Sequence, residues 1–329
     1  MRKICKFITI IFVFIFCGIV VLVNYGCDSS RYSGIDSLPK YYRNYISKKM
    51  DRLENIRENN SINSEFIFLT DLHWESNTKK SPLLVKTIAE NLGINKVVLG
   101  GDYTASDYEN TEDALSVMKE CVNSFEINGT CNAILGNHET NRAMGQYTSI
   151  PSSECIYAIS GGKRECAYFD ELDDENKTAF FYLNTNNFAY GNEQYNWLKE
   201  RLISLGKDYT AFIFMHIYFN YMPSGQPLTY ENQGKLLNDL LNDNNVECLI
   251  GGIFSGHSHR DYLGYNEKGL PFIVTTSDTI FAYSTWDGAV KREKRTITEQ
   301  AFDVVQVDQK NRKVFLTRIG AGYNREYIY

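Results

Sequence analysis

Histidine is scarce in this chain, and positive charge is not in excess. Five of the 329 residues are histidine, and 40 acidic side chains outnumber 34 lysines and arginines, for a formal net charge of −6. That balance gives no electrostatic reason to expect nonspecific binding of nucleic acid. It does not exclude a phosphate-bearing ligand, because a bound metal ion reverses the sign of the charge inside a site.

The sequence also lacks an internal repeat of the solenoid type and any low-complexity tract. Its length is ample for a sizeable core, in one large domain or two small ones. We predict three parts: a signal anchor or lipoprotein-type signal segment at 1–27, a tether with an exposed helix at 28–62, and a globular domain at 63–329. Within the second part, the highly charged stretch 41–59 has only a weak apolar stripe, which predicts the exposed helix.

An uncharged apolar run at the N-terminus follows a short basic stretch. Arg2, Lys3 and Lys6 precede residues 7–23, which is the layout of a secretory signal or signal anchor. Basic residues on that side predict that the N-terminus stays inside and that the remaining chain is exported. Cys27 follows a glycine, as at a bacterial lipoprotein cleavage site, so lipidation and an uncleaved anchor both stay open. The expected location is the cell membrane, with the globular domain facing outside.

Five cysteines lie beyond this leader, an odd number in a compartment that we expect to be oxidising. Cys155 and Cys166 flank a glycine-containing loop and could form a local disulfide. Cys248 lies in the apolar run 246–253 and is expected to be a small buried hydrophobic residue.

Short apolar runs alternate with helical segments in the first half of the globular domain. The predicted elements are, in order, a strand at 66–69, a helix starting at Ser81 and Pro82 and ending at Gly93, a strand at 96–99, a helix at 111–125 and a strand at 131–135. This alternation predicts parallel pairing, with polar residues at the C-terminal ends of the strands, where open α/β sheets place their sites.

The second half begins with a segment at 151–191 that resembles an insertion ending in strands. The further predicted elements are strands at 178–183, 209–215, 246–253, 272–275, 302–307 and 313–319, and helices at 193–205 and 230–241. After residue 260 only strands are expected.

Polar residues follow five of these strands at the same end. They are Asp71 and His73, Asp102, Asn137 and His138, His216, and His257 and His259. Residues at the same ends of neighbouring strands lie one or two strand spacings apart, so these side chains can meet. Carboxylate and imidazole suit a first-row transition metal, and the absence of cysteine here argues against a structural zinc site. The set is too large for one ion and suits two, if one carboxylate bridges; such a pair can clamp both oxygens of an in-line phosphoryl displacement.

Five blocks occur in a fixed order over about residues 65–329: Asp-x-His, Gly-Asp, Gly-Asn-His-Glu, a lone histidine after a strand, and Gly-His-x-His. Together they resemble the calcineurin-like metallophosphoesterase family. The resemblance implies an α/β fold, a four-layer β-sandwich of mixed sheets flanked by helices, with a dimetal site at the C-terminal ends of the strands. We therefore expect mixed sheets rather than one purely parallel sheet.

The resemblance also implies the ligands and their roles. One metal would be held by Asp71, His73, Asp102 and His259. The other would be held by Asp102, Asn137, His216 and His257, so that Asp102 bridges the two. His138 would contact the phosphate and act as general acid, with a metal-bridging hydroxide as nucleophile. We expect Glu139 to orient its neighbours. The two divalent transition-metal ions could be Mn, Fe, Zn or Ni, since the ligand set serves all four.

Substrate contacts are less sharply indicated. Arg142 could bind a second phosphate, or it could be a surface residue with a local carboxylate partner; Tyr218 could form one wall of the pocket or pack in the core. The predicted activity is hydrolysis of a phosphomonoester or phosphodiester. Two alternatives are a non-catalytic cell-surface binding protein that kept the fold, and a metal-dependent nuclease, which the acidic balance disfavours.

Overall fold

A computed structural model describes residues 31–105, 107–127, 131–140, 149–185, 191–218, 228–266, 268–280 and 290–329. The predicted signal segment at 1–27 and the candidate Arg142 lie outside these ranges. Within them, no helix combines the length and the apolar character that crossing a membrane requires.

The described residues form helices and strands in a mixed order. The helices are α1 (Lys40–Asn59), α2 (Ser81–Leu92), α3 (Thr111–Asn123), α4 (Ser152–Ile159), α5 (Asn192–Ser204) and α6 (Leu228–Leu241). The strands are β1 (Ser64–Leu69), β2 (Val97–Leu99), β3 (Asn132–Ala133), β4 (Phe169–Asp173), β5 (Thr178–Tyr182), β6 (Thr210–Phe214), β7 (Leu249–Ser255), β8 (Tyr262–Tyr265), β9 (Pro271–Val274), β10 (Ala301–Asp308), β11 (Lys313–Gly320) and β12 (Arg325–Ile328).

Two sheets of six strands each are built from these strands. The first has the order β12-β11-β10-β1-β2-β3, in which β1, β2 and β3 are parallel and β10 to β12 are antiparallel. The second has the order β4-β5-β6-β7-β9-β8, with four parallel central strands and an antiparallel strand at each edge. The prediction of mixed sheets, with parallel pairing of the first three strands, is confirmed.

Phenylalanines fill the space between the two sheets. Phe66 makes edge-on contacts with Phe180, Phe212, Phe214 and Phe254, at centroid distances of 5.3–5.8 Å. Aromatic pairs prefer this geometry, and burying each ring contributes about 1.5–3 kcal/mol. Because side chains alternate across a strand, the neighbouring residues of β1 face the other way, toward the helices.

Helices cover the outer face of each sheet. The apolar faces of α1 to α4 pack on the first sheet, and those of α5 and α6 pack on the second. The result is helix, sheet, sheet and helix, the predicted four-layer sandwich. The parallel strands β1, β2 and β3 of the first sheet and β6 and β7 of the second end at the edge where the candidate site lies.

Helix α1 differs from the expectation of an exposed helix. Its residues Tyr42, Ile46, Met50, Leu53 and Ile56 are 0–6% exposed and belong to the core cluster on the first sheet. They recur every three or four positions, so they form one narrow stripe among charged residues. The weak stripe in the sequence is therefore a packing face, and α1 is part of the globular body; the boundary at residue 62 stays a prediction.

The local disulfide considered for Cys155 and Cys166 is not formed. Both cysteines are free: Cys166 is exposed, and the buried Cys155 thiol donates to the carbonyl oxygen of Glu139 at 3.2 Å. Cys155 packs in the core on the first sheet, whereas Cys166 lies at the surface. Cys248 is buried, as predicted.

Candidate metal centre

The predicted metal ligands and His138 lie just beyond the C-terminal ends of β1, β2, β3, β6 and β7, and the fold brings them together. A first group consists of Asp71, His73, Asp102 and His259, whose ligand atoms all lie within 4.8 Å of one another. In this group Nε2 of His259 is 3.1 Å from Oδ1 of Asp71 and 3.4 Å from Nε2 of His73. Two ring nitrogens and a carboxylate oxygen that converge in this way suit a shared cation.

A second group consists of Asp102, His216 and His257, again with ligand atoms within 4.8 Å. Oδ2 of Asp102 is 3.0 Å from Nε2 of His216. The amide oxygen of Asn137 joins this group, at 3.1 Å from Nε2 of His216 and 2.8 Å from Nδ1 of His257. Asp102 belongs to both groups, so one buried carboxylate connects them.

Two of the histidines are oriented by backbone carbonyls. Nδ1 of His73 lies 3.0 Å from the carbonyl oxygen of Thr104, and Nδ1 of His216 lies 2.7 Å from that of Gly100. A carbonyl oxygen only accepts hydrogen bonds, so each Nδ1 carries the proton in these contacts. The Nε2 lone pair of a neutral ring then faces the group, as a metal ligand requires. This donor chemistry fits divalent metal ions.

The buried carboxylates and imidazoles of the centre shift one another's pKa values. Burial alone would raise the pKa of the Asp102 carboxyl, but the neighbouring imidazoles, His216 above all, bring it well below its usual range. Burial lowers the pKa of His216, and Asp102 more than reverses this and raises it to about 10. Burial and the positive charge on His216 lower the pKa of His257 to about 4. The buried carboxylates thus hold a positive charge at this position, which a cation can supply instead of a proton.

The backbone is strained at the same residues. Asp71, His73, Asp102, His257 and His259 have φ values of 53°, 37°, 56°, 65° and 55°, all in the left-handed region. Non-glycine residues in this region cost on the order of 1 kcal/mol or more each and persist only where the surrounding structure imposes them. Their concentration here is a mark of a functional site.

Two glycines of the motifs allow the loops to approach the carboxylates. A Cβ atom on Gly136 would lie 2.2 Å from Oδ1 of Asp102, and one on Gly256 would lie 2.3 Å from Oδ2 of Asp71. These distances are far shorter than any van der Waals contact. Glycine is therefore required in front of Asn137 and His257 if the loops are to close on the site.

His138 lies beside the two groups rather than within them. Its Nε2 is 3.8 Å from Oδ2 of Asp102, its backbone N–H donates to Oδ1 of Asp102 at 3.0 Å, and its ring meets His73 edge-on at 5.0 Å. The side chain is 21% exposed, in contrast to the fully buried His216. His138 is thus open to a molecule bound over the centre.

Glu139 is fully buried behind the centre. Its carboxylate accepts from the backbone N–H groups of Asp102 at 3.0 Å, Tyr103 at 2.6 Å and Gly136 at 2.5 Å. Burial and the nearby Asp102 raise the pKa of Glu139 to about 8. Its contacts tie the loop after β2 to the loop after β3.

The two predicted substrate contacts have different outcomes. Arg142 lies outside the described residues. Tyr218 is 2% exposed, and its ring packs 4.8 Å from that of Phe272 in the core of the second sheet. This position favours the alternative in which Tyr218 packs in the core.

The sequence analysis did not identify the polar residues after β9, which donate hydrogen bonds to the backbone of the candidate ligands. Ser277 donates to the carbonyl oxygen of Asp71 at 2.7 Å, and Thr276 donates to that of His259 at 2.9 Å. The run Thr275-Thr276-Ser277-Asp278 directly follows a strand, as the candidate ligands do. A polar run at the end of a strand is therefore the sequence pattern that could have identified these residues.

Comparisons with known proteins identify a family and a similar fold. A family model described as calcineurin-like phosphoesterase matches residues 64–261, more than half of the chain. The crystal structure of a dimetal phosphatase from Danio rerio is similar, with a TM-score of 0.58 at 11% identity over 82% of this chain and 99% of that one.

Two further solved structures are more distant. A phosphopantetheinyl hydrolase from Mycobacterium tuberculosis has a TM-score of 0.39 at 11% identity, covering 65% of this chain and 90% of its own. A phosphatase from Mycoplasma pneumoniae has a TM-score of 0.39 at 13% identity, covering 79% and 94%. No curated protein sequence matches the chain significantly. The match of the family model, together with the shared fold, shows that the chain belongs to the calcineurin-like phosphoesterases, a family that hydrolyses phosphate esters with divalent metal ions.

Proposed function

We propose that this protein hydrolyses phosphomonoesters or phosphodiesters with two divalent transition-metal ions. The observation that carries the proposal is the pair of ligand groups that share Asp102. A shared buried carboxylate, flanked on each side by imidazoles, is what a pair of adjacent metal ions requires. A single structural ion would need only one of the groups.

The ligands divide between the two groups. Asp71, His73, Asp102 and His259 hold the first ion, and Asp102, Asn137, His216 and His257 hold the second. When bound, the ions supply Lewis-acid polarisation of the phosphate oxygens and activation of a water molecule. Asn137 coordinates through its amide oxygen and so adds no negative charge that would repel an anionic substrate.

His138 supplies the proton for the leaving group. It is exposed enough to reach a bound ester, and its backbone N–H is held by the shared carboxylate of Asp102. A proton on the ring passes to the leaving oxygen as the ester bond breaks. Glu139 keeps the loops of Asp102 and Asn137 in register through its backbone contacts.

The proposed location of the enzyme is the cell membrane, and the N-terminal sequence supports it. The basic stretch and the apolar run 7–23 support an exported enzyme held at the membrane, with its site outside the cell. Its substrates would then be phosphate esters of the cell surface or the medium. Arg142, three residues after Glu139, is the candidate contact for a second phosphate group.

The test is hydrolysis of p-nitrophenyl phosphate and bis-p-nitrophenyl phosphate by purified, folded protein with added Mn²⁺. We expect metal-dependent release of p-nitrophenol from at least one ester, and a comparison of the two separates monoesterase from diesterase activity. A folded protein that binds Mn²⁺ and hydrolyses neither ester would contradict the proposal and favour a binding protein that kept the fold.

A further inference from the structure

We infer that Arg318, acting through Asp261, positions the loop that carries His257 and His259 and thereby sets the affinity of the centre for metal. We call residues 256–261 the histidine loop. The inference rests on the proposed metal site. It makes Arg318 a positioning residue, since its side-chain hydrogen bonds go to Asp261, Asp303 and Ala321 and to none of the candidate ligands.

The guanidinium of Arg318 is fully buried and uses every N–H group that it has. It donates to both carboxylate oxygens of Asp261 at 2.7 Å, to both of Asp303 at 2.9 Å and to the carbonyl oxygen of Ala321 at 2.8 Å. Two forked contacts of this kind fix the planar group in one orientation. Arg318 lies on β11 of the first sheet, whereas Asp261 follows β7 of the second. The residue therefore joins the two sheets at the end of the histidine loop.

From Asp261 the contacts lead to His259. Oδ1 of Asp261 also accepts from the backbone N–H of Thr276 at 3.1 Å, and the Thr276 hydroxyl donates to the carbonyl oxygen of His259 at 2.9 Å. The loop between β7 and β8 is thus held from its C-terminal side. This matters because His257 and His259 both have positive φ values, which the loop would relax if nothing imposed them.

Asp261 is one of two carboxylates that compensate the buried charge of Arg318. Asp303 is itself fully buried, pairs with Arg318 through both oxygens and also receives Arg325 at 2.6 Å. The Asp261 side chain is 30% exposed, so its charge is partly screened by water. The forked contact with Asp261 also fixes where the histidine loop ends.

Gly322 provides independent support. Its φ is +113°, and a Cβ atom there would lie 2.5 Å from Nη1 of Arg318 and 2.5 Å from Oδ2 of Asp261. The chain thus has a glycine packed against the forked contact itself, where any side chain would push it apart.

The test compares Asp261→Asn with Asp303→Asn, using Mn²⁺ affinity from calorimetry and thermal unfolding of the metal-free protein. We expect Asp261→Asn to weaken Mn²⁺ binding by about 10–100-fold, the usual effect of losing a residue that orients a ligand. Asp303→Asn should lower the unfolding temperature more, because Asp303 is fully buried, and should weaken Mn²⁺ binding less than Asp261→Asn does, because Asp261 still joins Arg318 to the histidine loop. A purely structural role predicts the opposite order, with the larger affinity loss in the less stable variant.

A second pair of variants serves as a control in case Asp261→Asn or Asp303→Asn does not fold. Thr276→Val removes the hydroxyl that holds His259, and Thr275→Val removes a hydroxyl that donates to Asp303 at 2.8 Å. The two threonines are adjacent, and valine has nearly the same shape. We expect Thr276→Val to weaken Mn²⁺ binding about fivefold, the worth of one hydrogen bond. Thr275→Val should bind Mn²⁺ like the wild type.

Hydrogen exchange of the metal-free protein gives a readout that does not involve metal. Amides of the histidine loop should exchange faster in Asp261→Asn than in the wild type and should be unchanged in Thr275→Val. Wild-type affinity in both Asp261→Asn and Thr276→Val would overturn the inference, as would affinity losses that follow the losses of stability. A wild-type protein that binds Mn²⁺ but hydrolyses no ester would refute the proposed function alone, since the affinity comparison still decides the role of Arg318.

Discussion

Two buried carboxylates in this molecule, Asp102 and Asp303, are each paired with a cationic side chain, and the partners differ in a way that separates function from stability. Oδ2 of Asp102 lies 3.0 Å from Nε2 of His216, and Oδ1 of Asp303 lies 2.9 Å from Nε of Arg318. Each carboxyl has a pKa below its usual range, despite burial, because of the positive charges beside it. Guanidinium keeps its protons and has no lone pair for a metal, whereas imidazole can lose its proton and bind one. The first pair can therefore exchange a proton for an ion, and the second cannot.

The backbones of the two carboxylates differ as well. Asp303 lies within β10, directly opposite Arg318 in the antiparallel ladder, so regular strand geometry makes the pair. Asp102 lies in the loop after β2, with a φ of 56°. The structural pair follows from local pairing of two adjacent strands. The candidate metal pair depends on a strained loop that other parts of the molecule hold in place.

The largest expected effect is that of Asp102→Ala. Because Asp102 belongs to both ligand groups, its loss should abolish the binding of both ions and lower kcat/KM by on the order of 10³-fold or more, since the ions supply several kcal/mol of stabilisation to the transition state. Metal content by mass spectrometry and hydrolysis of p-nitrophenyl phosphate measure the two losses. A variant that retains both ions would show that Asp102 does not bridge.

His138→Ala should lower kcat by about 10²–10⁴-fold while leaving the metal content unchanged. His138 lies next to Asp102 but outside both ligand groups, so only the proton donor is lost. The same metal analysis, with hydrolysis followed under saturating Mn²⁺, separates this variant from Asp102→Ala. Loss of the ions from His138→Ala would mean that it is a ligand.

Removal of metal should lower the stability of the wild type. A ligand present at about 100 times its Kd stabilises the folded state by about 2.7 kcal/mol, so chelation should lower the unfolding temperature and added Mn²⁺ should restore it. Thermal unfolding with and without chelator measures the shift. Asp303→Asn should unfold at a lower temperature than the wild type but show the same fall in unfolding temperature on chelation. Asp102→Ala should show no such fall. An equal shift in Asp102→Ala would place the stabilising ion elsewhere.

Acid should weaken the structural pair. Arg318 and Arg325 overcome the effect of burial and hold the pKa of Asp303 at about 2, below its usual value. A carboxyl with a lowered pKa contributes stability above the pKa that it has in the unfolded chain. That contribution, about 2–3 kcal/mol, is lost as the pH falls through about 4 to 2. Urea unfolding across this range should show the loss in the wild type and a smaller dependence in Asp303→Asn. Identical pH profiles would show that Asp303 is not the group responsible.

Much of the centre could be predicted because its signals are local. Asp71 and His73, Asn137 and His138, and His257 and His259 each lie within a few residues of a strand end, so an apolar run followed by polar residues locates them. The parallel arrangement of β1, β2 and β3 then explains why these ends meet. By contrast, the packing of α1 differs from the expected exposed helix, because a narrow apolar stripe in a charged helix does not show whether a partner surface exists.

Other features depended on contacts between distant parts of the chain. Tyr218 follows a candidate ligand in sequence, yet its ring packs on Phe272 from another strand. Arg318 is separated by 57 residues from Asp261 and looks in the sequence like any basic residue in a strand. Neither the Tyr218–Phe272 contact nor the Arg318–Asp261 contact produces a pattern of residue spacing or composition that can be recognised in the sequence.

The sequence by itself determined the strand ends, the glycines before the ligand residues and the chemistry of the candidate ligands, because each depends on neighbouring residues and on side-chain type. Only the tertiary structure decided that Asp102 lies in both groups, that Glu139 ties two loops together and that Arg318 holds the end of the histidine loop. These facts depend on which strands become neighbours and how closely loops approach. That is set by packing two six-stranded sheets face to face over a common aromatic core.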